Sequence, residues 1–327
     1  MEYVTPAGTD LELPRLVMGT MTFGGQVDRD GARAMVERCR EHGITMFDTA
    51  NSYNAGASER ILGEIVAPYR DEVLIASKVF NPTGDESTYR GLGRAAVRQS
   101  LEDSLRRLGT DHLDVYYLHA PDWETPIEET LSAMADAVAA GKVRHVAVSN
   151  YAAWQVAEIR CLSDRNGWPT VGISQPMYNL LARRLDDEYA AFSARYDMHN
   201  IVYNPLAGGL LTGKHTDPGR PGHEGRFAAG SRMGEMYRRR YWNDQQFAAV
   251  EALRKVAADG GLTLLQLAFR WLWSRPLVDG ILLGASSLEQ LEANLEAADG
   301  PPVTAELAEA CDEVWSALRG AAPLYNR

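Results

Sequence analysis

Cysteine is scarce in this sequence, and long apolar runs are missing from it. Among 327 residues the three cysteines, Cys39, Cys161 and Cys311, are far apart and form neither a Cys-x-x-Cys pair nor a spacing typical of metal ligands. No stretch approaches the ~20 apolar residues that a membrane-spanning helix needs. The first residues lack the basic start and apolar core of a signal peptide. These absences predict a cytoplasmic protein with reduced thiols, no metal and no membrane segment.

A surplus of positive charge is also missing. Lysine and arginine number 33 against 44 aspartates and glutamates, which gives a net charge of -11 and a pI near 5.2. Nucleic acids and anionic membranes bind proteins through positively charged surfaces. The composition therefore disfavours both as partners, although a local basic pocket can still hold an anionic cofactor.

Linkers rich in proline, glycine and serine are absent, as are internal repeats and low-complexity tracts. The hydrophobic fraction of 45% and the charged fraction of 24% are ordinary for a globular protein. Closed α/β barrels reach this length as one unit. We therefore predict a single domain over residues 1–327.

Short apolar runs alternate with amphipathic helical patterns along the whole chain. Several apolar runs are continuous, as in parallel strands that are covered on both faces. The predicted strands are residues 16–20, 45–49, 73–78, 113–118, 143–149, 172–175, 200–204 and 279–283. The predicted helices are residues 29–42, 59–67, 90–108, 126–140, 152–166, 186–195 and 287–298. This order favours a (β/α)8 TIM barrel of the α/β class, with an open doubly wound sheet as the alternative.

Two segments exceed a minimal barrel. Residues 1–15 carry turn residues and predict a hairpin before the first barrel strand. Residues 206–242, after the seventh strand, are rich in glycine and arginine and show little periodicity. They predict a long loop, and loops of that length in compact proteins are usually functional. A C-terminal helix and tail follow the eighth strand.

Polar residues stand at the ends of three successive predicted strands. Asp48 ends the second strand with Tyr53 just beyond it, Lys78 ends the third, and His119 follows the fourth. Singly, each has a structural explanation, such as a cap, a solvated strand end or a packed core histidine. Since the C-terminal ends of barrel strands meet at one face and carry the chemistry of such folds, their joint placement predicts a catalytic site.

These four residue types together make a usable acid. A free tyrosine titrates near ~10, too high for easy proton donation at neutral pH. A buried ammonium such as Lys78 favours the phenolate and lowers the pKa of a neighbouring phenol. Asp48 can hold that lysine charged, and His119 can donate a hydrogen bond that orients a carbonyl substrate. The predicted site protonates an oxygen while a hydride reaches the adjacent carbon.

At these residues the chain resembles the aldo-keto reductase family over essentially its whole length. The motifs are Phe-Asp-Thr-Ala at 47–50 with Tyr53, Ser-Lys at 77–78, Leu-His at 118–119 and Ser-Asn at 149–150. Longer runs at 119–122, 149–154, 203–214, 225–227 and 237–242 are similar to the aflatoxin-aldehyde reductase (succinic semialdehyde reductase) subgroup. The resemblance implies a catalytic tetrad of Asp48, Tyr53, Lys78 and His119. It further implies NADPH-dependent reduction of aldehydes and dialdehydes, and a homodimer.

The resemblance also assigns residues to the cofactor, NADPH/NADP+. Ser149, Asn150 and Gln175 would hold the nicotinamide carboxamide, and Tyr203 would stack on its ring. Glycines after Tyr203 would let the backbone approach the phosphates, and the start of the last predicted helix would meet the adenosine half. The remaining assigned residues are Asn204, Pro205, Leu206, Gly208, Leu210, Gly213, Lys214, Arg226, Gly284, Ser286, Gln290 and Asn294. No Gly-x-Gly-x-x-Gly fingerprint opens an early strand–helix turn, which agrees with this barrel mode of binding.

Arginines supply a further indication of the substrate. Arg238 and Arg240 stand in the Tyr-Arg-x-Arg motif that the subgroup shows, and Arg327 is the last residue. In the subgroup a C-terminal arginine can pair with a carboxylate on the substrate, and a guanidinium binds a carboxylate bidentately. The resemblance therefore implies an aldehyde with a distal carboxylate, such as succinic semialdehyde, with Arg238, Arg240 and Arg327 as candidate contacts. Arg226 is a candidate for the cofactor's 2′-phosphate. Two other functions stay open: a biosynthetic ketoreductase for a sugar or polyketide carbonyl, and a cofactor-sensing protein of the potassium-channel β-subunit type.

Overall fold

The computed structural model describes residues 1–84, 89–219, 225–228 and 232–321. Contacts between Cα atoms group the chain into two compact units. The first comprises Met1–Pro176, Ala191–Val202 and Asp279–Leu291, and the second comprises Met177–Ala190, Tyr203–Val278 and Glu292–Arg327. The single domain over residues 1–327 stays a prediction.

The first unit contains a closed barrel of parallel strands, preceded by a two-stranded antiparallel hairpin of β1 (Tyr3–Val4) and β2 (Leu13–Pro14). The barrel strands are β3 (Leu16–Gly19), β4 (Met46–Asp48), β5 (Leu74–Val79), β6 (Leu113–Leu118), β7 (Val143–Ser149), β8 (Ile173–Gln175), β9 (His199–Val202) and β10 (Gly280–Leu283). Each strand pairs with its neighbours in sequence, and β10 closes onto β3. The predicted (β/α)8 barrel and its hairpin are confirmed, with strand bounds within two residues.

Apolar side chains from successive barrel strands form one buried cluster. Val17, Met46, Ala76, Val115 and Ile201 are buried in one cluster. Leu11 and Leu13 of the hairpin belong to the same cluster, so the hairpin adds to this core. Burial of apolar area stabilises the folded state by roughly 25 cal/mol per Å². The continuous apolar runs of the sequence are therefore explained by burial on both faces.

Helices follow the barrel strands in the order that the sequence predicts. They are α1 (Arg29–Glu41), α2 (Ala57–Val66), α3 (Arg94–Leu108), α4 (Ile127–Ala139), α5 (Ala153–Asn166), α6 (Tyr189–Tyr196) and α10 (Leu288–Ala298). Gly109 and Gly167 end α3 and α5 in the left-handed conformation, as a C-cap glycine does. The start of α3 is four residues later than predicted, because Gly91 is left-handed and Gly93 is extended there.

The second unit is largely helical. Its helices are α7 (Arg232–Tyr241), α8 (Asp244–Asp259), α9 (Leu264–Trp273) and α11 (Ala305–Arg319). Residues 206–242 are therefore not entirely loop, since α7 lies at their end and short 3-10 turns occupy Ala207–Thr212 and Gly225–Phe227. Tyr237 and Tyr241, four residues apart on α7, are buried and stacked. The arginines between them conceal that periodicity in the sequence. None of the helices in the described residues is long and apolar enough to cross a membrane.

Replacing Gly63 with alanine is expected to destabilise the protein by about 1–3 kcal/mol through overpacking. Gly63 lies in α2 against the end of α3, where an added Cβ would lie 2.6 Å from the carbonyl carbon of Leu108 and closer still to its oxygen. Urea unfolding of Gly63→Ala measures the loss. Gly109→Ala is the comparison, because its Cβ would meet nothing within 4 Å and only its φ of 65° opposes it. An equal or smaller loss in Gly63→Ala would contradict the steric argument.

Candidate active site

Parallel pairing brings the predicted polar residues to one end of the barrel. Asp48 is the last residue of β4, Lys78 lies near the end of β5, and His119 follows β6 directly. Asp48 pairs in register with Ala76, and Lys78 with Tyr117. The chain leaving β4 forms a 3-10 turn over Tyr53–Gly56 before α2. Because this connection is short, Tyr53 lies near the C-terminal ends of the barrel strands.

Lys78 and Asp48 form a fully buried ion pair. The Lys78 Nζ donates to Asp48 Oδ1 and also to the backbone oxygen of Thr49 at 2.7 Å. Burial lowers the pKa of Lys78, but the charge of Asp48 and the contact with Tyr53 outweigh that effect and raise it above its usual value. Gln175 Nε2 donates to Asp48 Oδ2 at 2.8 Å. At neutral pH the site therefore contains a cation that is fixed from several sides.

Tyr53 lies close to both this cation and His119. The Lys78 Nζ is 5.1 Å from the centre of the Tyr53 ring and is hydrogen-bonded to the Tyr53 side chain. The Tyr53 and His119 rings meet edge to face, with centroids 6.1 Å apart and planes at 80°. The structure thus brings Asp48, Tyr53, Lys78 and His119 into one cluster, as the sequence predicts. A cation beside a phenol favours its anionic form.

His119 is held as a neutral imidazole. Burial, and secondly the charge of Lys78, lower its pKa to about 3. Its backbone N–H donates to the Val79 oxygen at 3.0 Å, and its carbonyl accepts from Asn150 Nδ2 at 2.9 Å. The ring Nδ1 is buried without a hydrogen-bond partner among the described residues. A neutral ring with one N–H can orient a carbonyl by donating a hydrogen bond, while the proton itself must come from another group.

Acidification below pH 6.5 is expected to destabilise the protein through His119. The unfolded histidine titrates near ~6.5, whereas the folded one titrates near 3, so below pH 6.5 the unfolded state takes up the proton first. The free energy of unfolding therefore falls as the pH drops from about 6.5 towards 3. Urea midpoints at pH 7 and pH 5 measure this, and His119→Gln should lose less than the wild type. His42→Gln, at an exposed histidine, serves as the control. Equal losses in all three proteins would refute the assignment.

Three residues assigned to the nicotinamide end stand beside this cluster. Ser149 ends β7 and donates through Oγ to the Gln175 oxygen at 2.8 Å. Asn150 adopts a left-handed φ of 65°, and its Nδ2 lies 3.1 Å from Ser149 Oγ. The bond from Gln175 to Asp48 joins this group to the cluster of Asp48, Tyr53, Lys78 and His119. Sequence reasoning missed that bond, because it joins β4 to β8 across 127 residues.

The glycine-rich run after Tyr203 lies in the second unit. Asn204 Oδ1 accepts from the Gly208 N–H at 2.7 Å, which closes a tight turn. Gly208 and Gly209 have φ angles of 71° and 108°. A Cβ added to Gly209 would lie 3.8 Å from the Lys214 Nζ, so this ammonium faces the bare glycine backbone. Bare backbone beside a cation suits the close approach of a phosphate, and the residues present therefore fit the diphosphate of a dinucleotide.

The other cofactor assignments are more dispersed. In the first unit, Ser286 donates through Oγ to Gln290 Oε1 at 2.9 Å, and Ser287 Oγ caps the Gln290 N–H at the start of α10. In the second unit, Asn294 is buried. Arg226 donates to the Tyr237 hydroxyl at 3.1 Å, with its guanidinium 5.4 Å from that ring.

The arginines predicted for the substrate have different surroundings. Arg238 Nη1 donates to the backbone oxygens of Phe227 and Ala228 at 2.7 and 2.8 Å, so that nitrogen already stabilises the loop before α7. Arg240 Nη1 lies 3.7 Å from the Met177 sulfur. Arg327 lies outside the described residues.

Comparison with known proteins agrees with this geometry. A sequence profile of the Aldo/keto reductase family matches residues 15–316. The chain is similar to aflatoxin B1 aldehyde reductase member 2 of Rattus norvegicus, at 37% identity over 96% of this chain and 88% of the relative. It is 38% identical to the Homo sapiens protein of the same name, over 95% of this chain and 89% of the relative. A probable voltage-gated potassium channel subunit beta of Arabidopsis thaliana is 32% identical over 93% of both chains.

Proposed function

The chain belongs to the aldo/keto reductase family and is an NAD(P)-dependent oxidoreductase, and from that premise we propose that it reduces aldehydes to alcohols with NADPH. The observation that carries the proposal is the buried Lys78–Asp48 pair beside Tyr53 and His119. Members of this family act on aldehydes and ketones with nicotinamide cofactors. The choice of NADPH and of an aldehyde is the finer proposal.

A reduced nicotinamide, when bound, supplies the hydride that reaches the carbonyl carbon. The chain's own residues then control the oxygen. His119, as a neutral donor, orients the carbonyl. Tyr53 gives its phenolic proton to that oxygen as charge develops there, and Lys78 stabilises the phenolate that remains. Asp48 keeps the lysine charged, so that the cation does not lose its proton in the buried site.

Ser149, Asn150, Gln175 and Tyr203 are proposed to hold the nicotinamide end of the cofactor. The proposed phosphate contacts are Lys214 and the glycine backbone that it faces. The remaining proposed contacts are Asn204, Pro205, Leu206, Gly208, Leu210, Gly213, Arg226, Gly284, Ser286, Gln290 and Asn294.

The proposed function is tested by mixing the purified protein with NADPH and a panel of aldehydes and following the loss of nicotinamide absorbance. We expect turnover with short aldehydes and with succinic semialdehyde, and less with NADH. The panel also includes sugar and polyketide-like ketones, so that a biosynthetic ketoreductase would show itself by a preference for those. Absence of turnover with every carbonyl, while NADPH still binds, would instead favour the alternative of a cofactor-sensing protein of the potassium-channel β-subunit type, and the Arabidopsis relative is named as such a subunit.

Arg226→Ala is expected to raise the KM for NADPH by about tenfold and to leave the KM for NADH nearly unchanged. The reason is that a guanidinium pairs with a 2′-phosphate, which NADH lacks. Steady-state kinetics with each cofactor measures both constants. Arg239→Ala, on the same unit in α7, is the control, because it removes an arginine for which no cofactor role is proposed. An equal rise in both constants would show that Arg226 does not distinguish the cofactors.

The proposed partners of a substrate carboxylate remain Arg238, Arg240 and Arg327. A lower kcat/KM for succinic semialdehyde than for an uncharged aldehyde would contradict this proposal.

A homodimer and a cytoplasmic location are likewise proposals. Sedimentation of the purified protein tests the first, and cell fractionation the second.

A further inference from the structure

The first turn of α2 contacts the barrel strands that carry the catalytic cluster. Ser58 Oγ donates to the Thr20 backbone oxygen at 2.7 Å and lies 2.9 Å from Thr49 Oγ1. Thr20 Oγ1 in turn donates to the Asp48 backbone oxygen at 3.1 Å. The backbone oxygen of Thr49 also accepts a hydrogen bond from Lys78 Nζ. Ser58 therefore contacts a residue that is itself hydrogen-bonded to the catalytic lysine.

Glu59, the next residue, is fully buried and makes two strong bonds. Its Oε1 accepts from Ser77 Oγ at 2.5 Å, and Ser77 is the residue before Lys78 on β5. Its Oε2 accepts from Arg107 Nε of α3 at 2.6 Å. The side chains of Arg107 and Glu59 are 4% and 0% exposed. A buried ion pair is weak evidence for stability but can fix one conformation. We call Ser58, Glu59 and Arg107 the α2 clamp.

Arg107 also contacts the turn that carries Tyr53. After Tyr53, the residues Asn54, Ala55 and Gly56 have φ angles of 48°, 52° and 78°. Alanine rarely adopts a left-handed conformation, so this turn persists only where its surroundings determine it. A Cβ added to Gly56 would lie 2.7 Å from Arg107 Cδ and 2.9 Å from its Nε, which shows how closely the guanidinium side chain covers the turn.

We infer that the α2 clamp is a set of positioning residues that holds the Tyr53 turn and the Lys78 strand end at a fixed separation. This inference rests on the proposed function of Tyr53. One buried carboxylate, that of Glu59, joins Ser77 beside Lys78 to Arg107 over the Tyr53 turn. None of the three clamp residues is assigned to substrate or cofactor. A displacement of about 1 Å in a reacting group can cost on the order of 10²-fold in rate, so the clamp controls kcat rather than substrate binding.

The experiment compares the double variant Glu59→Gln/Arg107→Met with the wild type. Removing both charges avoids an unpaired buried ion, which would strongly destabilise a single variant, and glutamine can still accept from Ser77. Thermal unfolding checks that the variant is folded. Arg106→Ala, which removes the adjacent arginine of α3 with its exposed side chain, is the matched control.

We expect the double variant to lose 10- to 100-fold in kcat with its KM for aldehyde within about threefold of the wild type. Arg106→Ala should match the wild type in both constants. The single variant Arg107→Lys, which keeps a cation beside Glu59, should have a kcat between those of the double variant and the wild type. A folded double variant with wild-type kcat would overturn the inference, as would a loss confined to KM.

A second readout does not depend on turnover. Tyrosine labelled with ¹³C at Cζ reports the ionisation of each phenol, and the resonance absent from Tyr53→Phe belongs to Tyr53. In the folded double variant this resonance should titrate at higher pH than in the wild type, because the Lys78 ammonium then lies farther from the Tyr53 hydroxyl. Identical titrations would overturn the clamp even if the protein reduced no aldehyde. If the wild type reduced no aldehyde but the Tyr53 titration still differed between the wild type and the double variant, only the proposed function would be contradicted.

Discussion

Tyr53→Phe is expected to lower kcat for aldehyde reduction by about 10²–10⁴-fold, which is the usual contribution of a positioned general acid. The phenylalanine ring fills the same space beside His119 and Lys78 but has no proton to give. The developing oxyanion must then take its proton from water, while Lys78 still stabilises the charge. Stopped-flow measurement of NADPH oxidation gives the rate of the chemical step directly.

Cofactor affinity is the control for this variant. Fluorescence titration with NADPH should give the same dissociation constant for Tyr53→Phe and the wild type, since the hydroxyl is proposed to act on the substrate oxygen. Tyr151→Phe removes a hydroxyl from a buried tyrosine near the ends of β6 and β7, where it donates to the Ala120 oxygen at 3.3 Å. It should keep kcat within a few-fold. A wild-type rate in Tyr53→Phe would show that Tyr53 is not the acid.

Lys78→Met is expected to abolish measurable reduction and to destabilise the fold by about 3–5 kcal/mol, the usual result of removing one partner of a buried ion pair. The variant leaves the Asp48 carboxylate buried with Gln175 as its remaining side-chain donor among the described residues. Burial already raises the pKa of Asp48, although Lys78 and Gln175 oppose this. Without the lysine, Asp48 must take up a proton in order to stay buried. The stability loss should therefore be larger at pH 8 than at pH 5.

The double variant Asp48→Asn/Lys78→Met separates the two effects. A neutral amide beside a neutral methionine leaves no buried charge, so most of the stability should return while activity stays absent. Urea unfolding at both pH values and the NADPH assay measure the two outcomes. Recovery of activity together with stability would mean that the cation is needed only for folding.

The barrel was readable from the sequence because parallel strands covered on both faces must be apolar throughout. The runs at residues 113–118 and 143–149 match β6 and β7 to the residue. The clustering of the four polar residues was readable for a related reason. A strand end fixes where the next side chain projects, so Asp48, Lys78 and His119 were certain to meet once the barrel closed.

The helices α7, α8 and α9 were not predicted. In α7 the three arginines at 238–240 mask the apolar pair Tyr237 and Tyr241. In α9 the residues are apolar on most sides, since Leu267, Phe269 and Trp271 are all buried. Periodicity fails as a guide when a helix is either covered on nearly all faces or carries its polar residues in one block.

The sequence by itself determined the strand order, the barrel, and the identity of the four side chains at its rim, because all three depend on local hydrophobicity and chain order. Only the tertiary structure decided how those side chains are held. The bond from Gln175 to Asp48 and the bond from Arg107 to Glu59 join residues 127 and 48 positions apart. A polar side chain has the same local pattern whether it faces water or a distant partner. Its role in the site follows from burial, and burial is fixed only when the chain has closed.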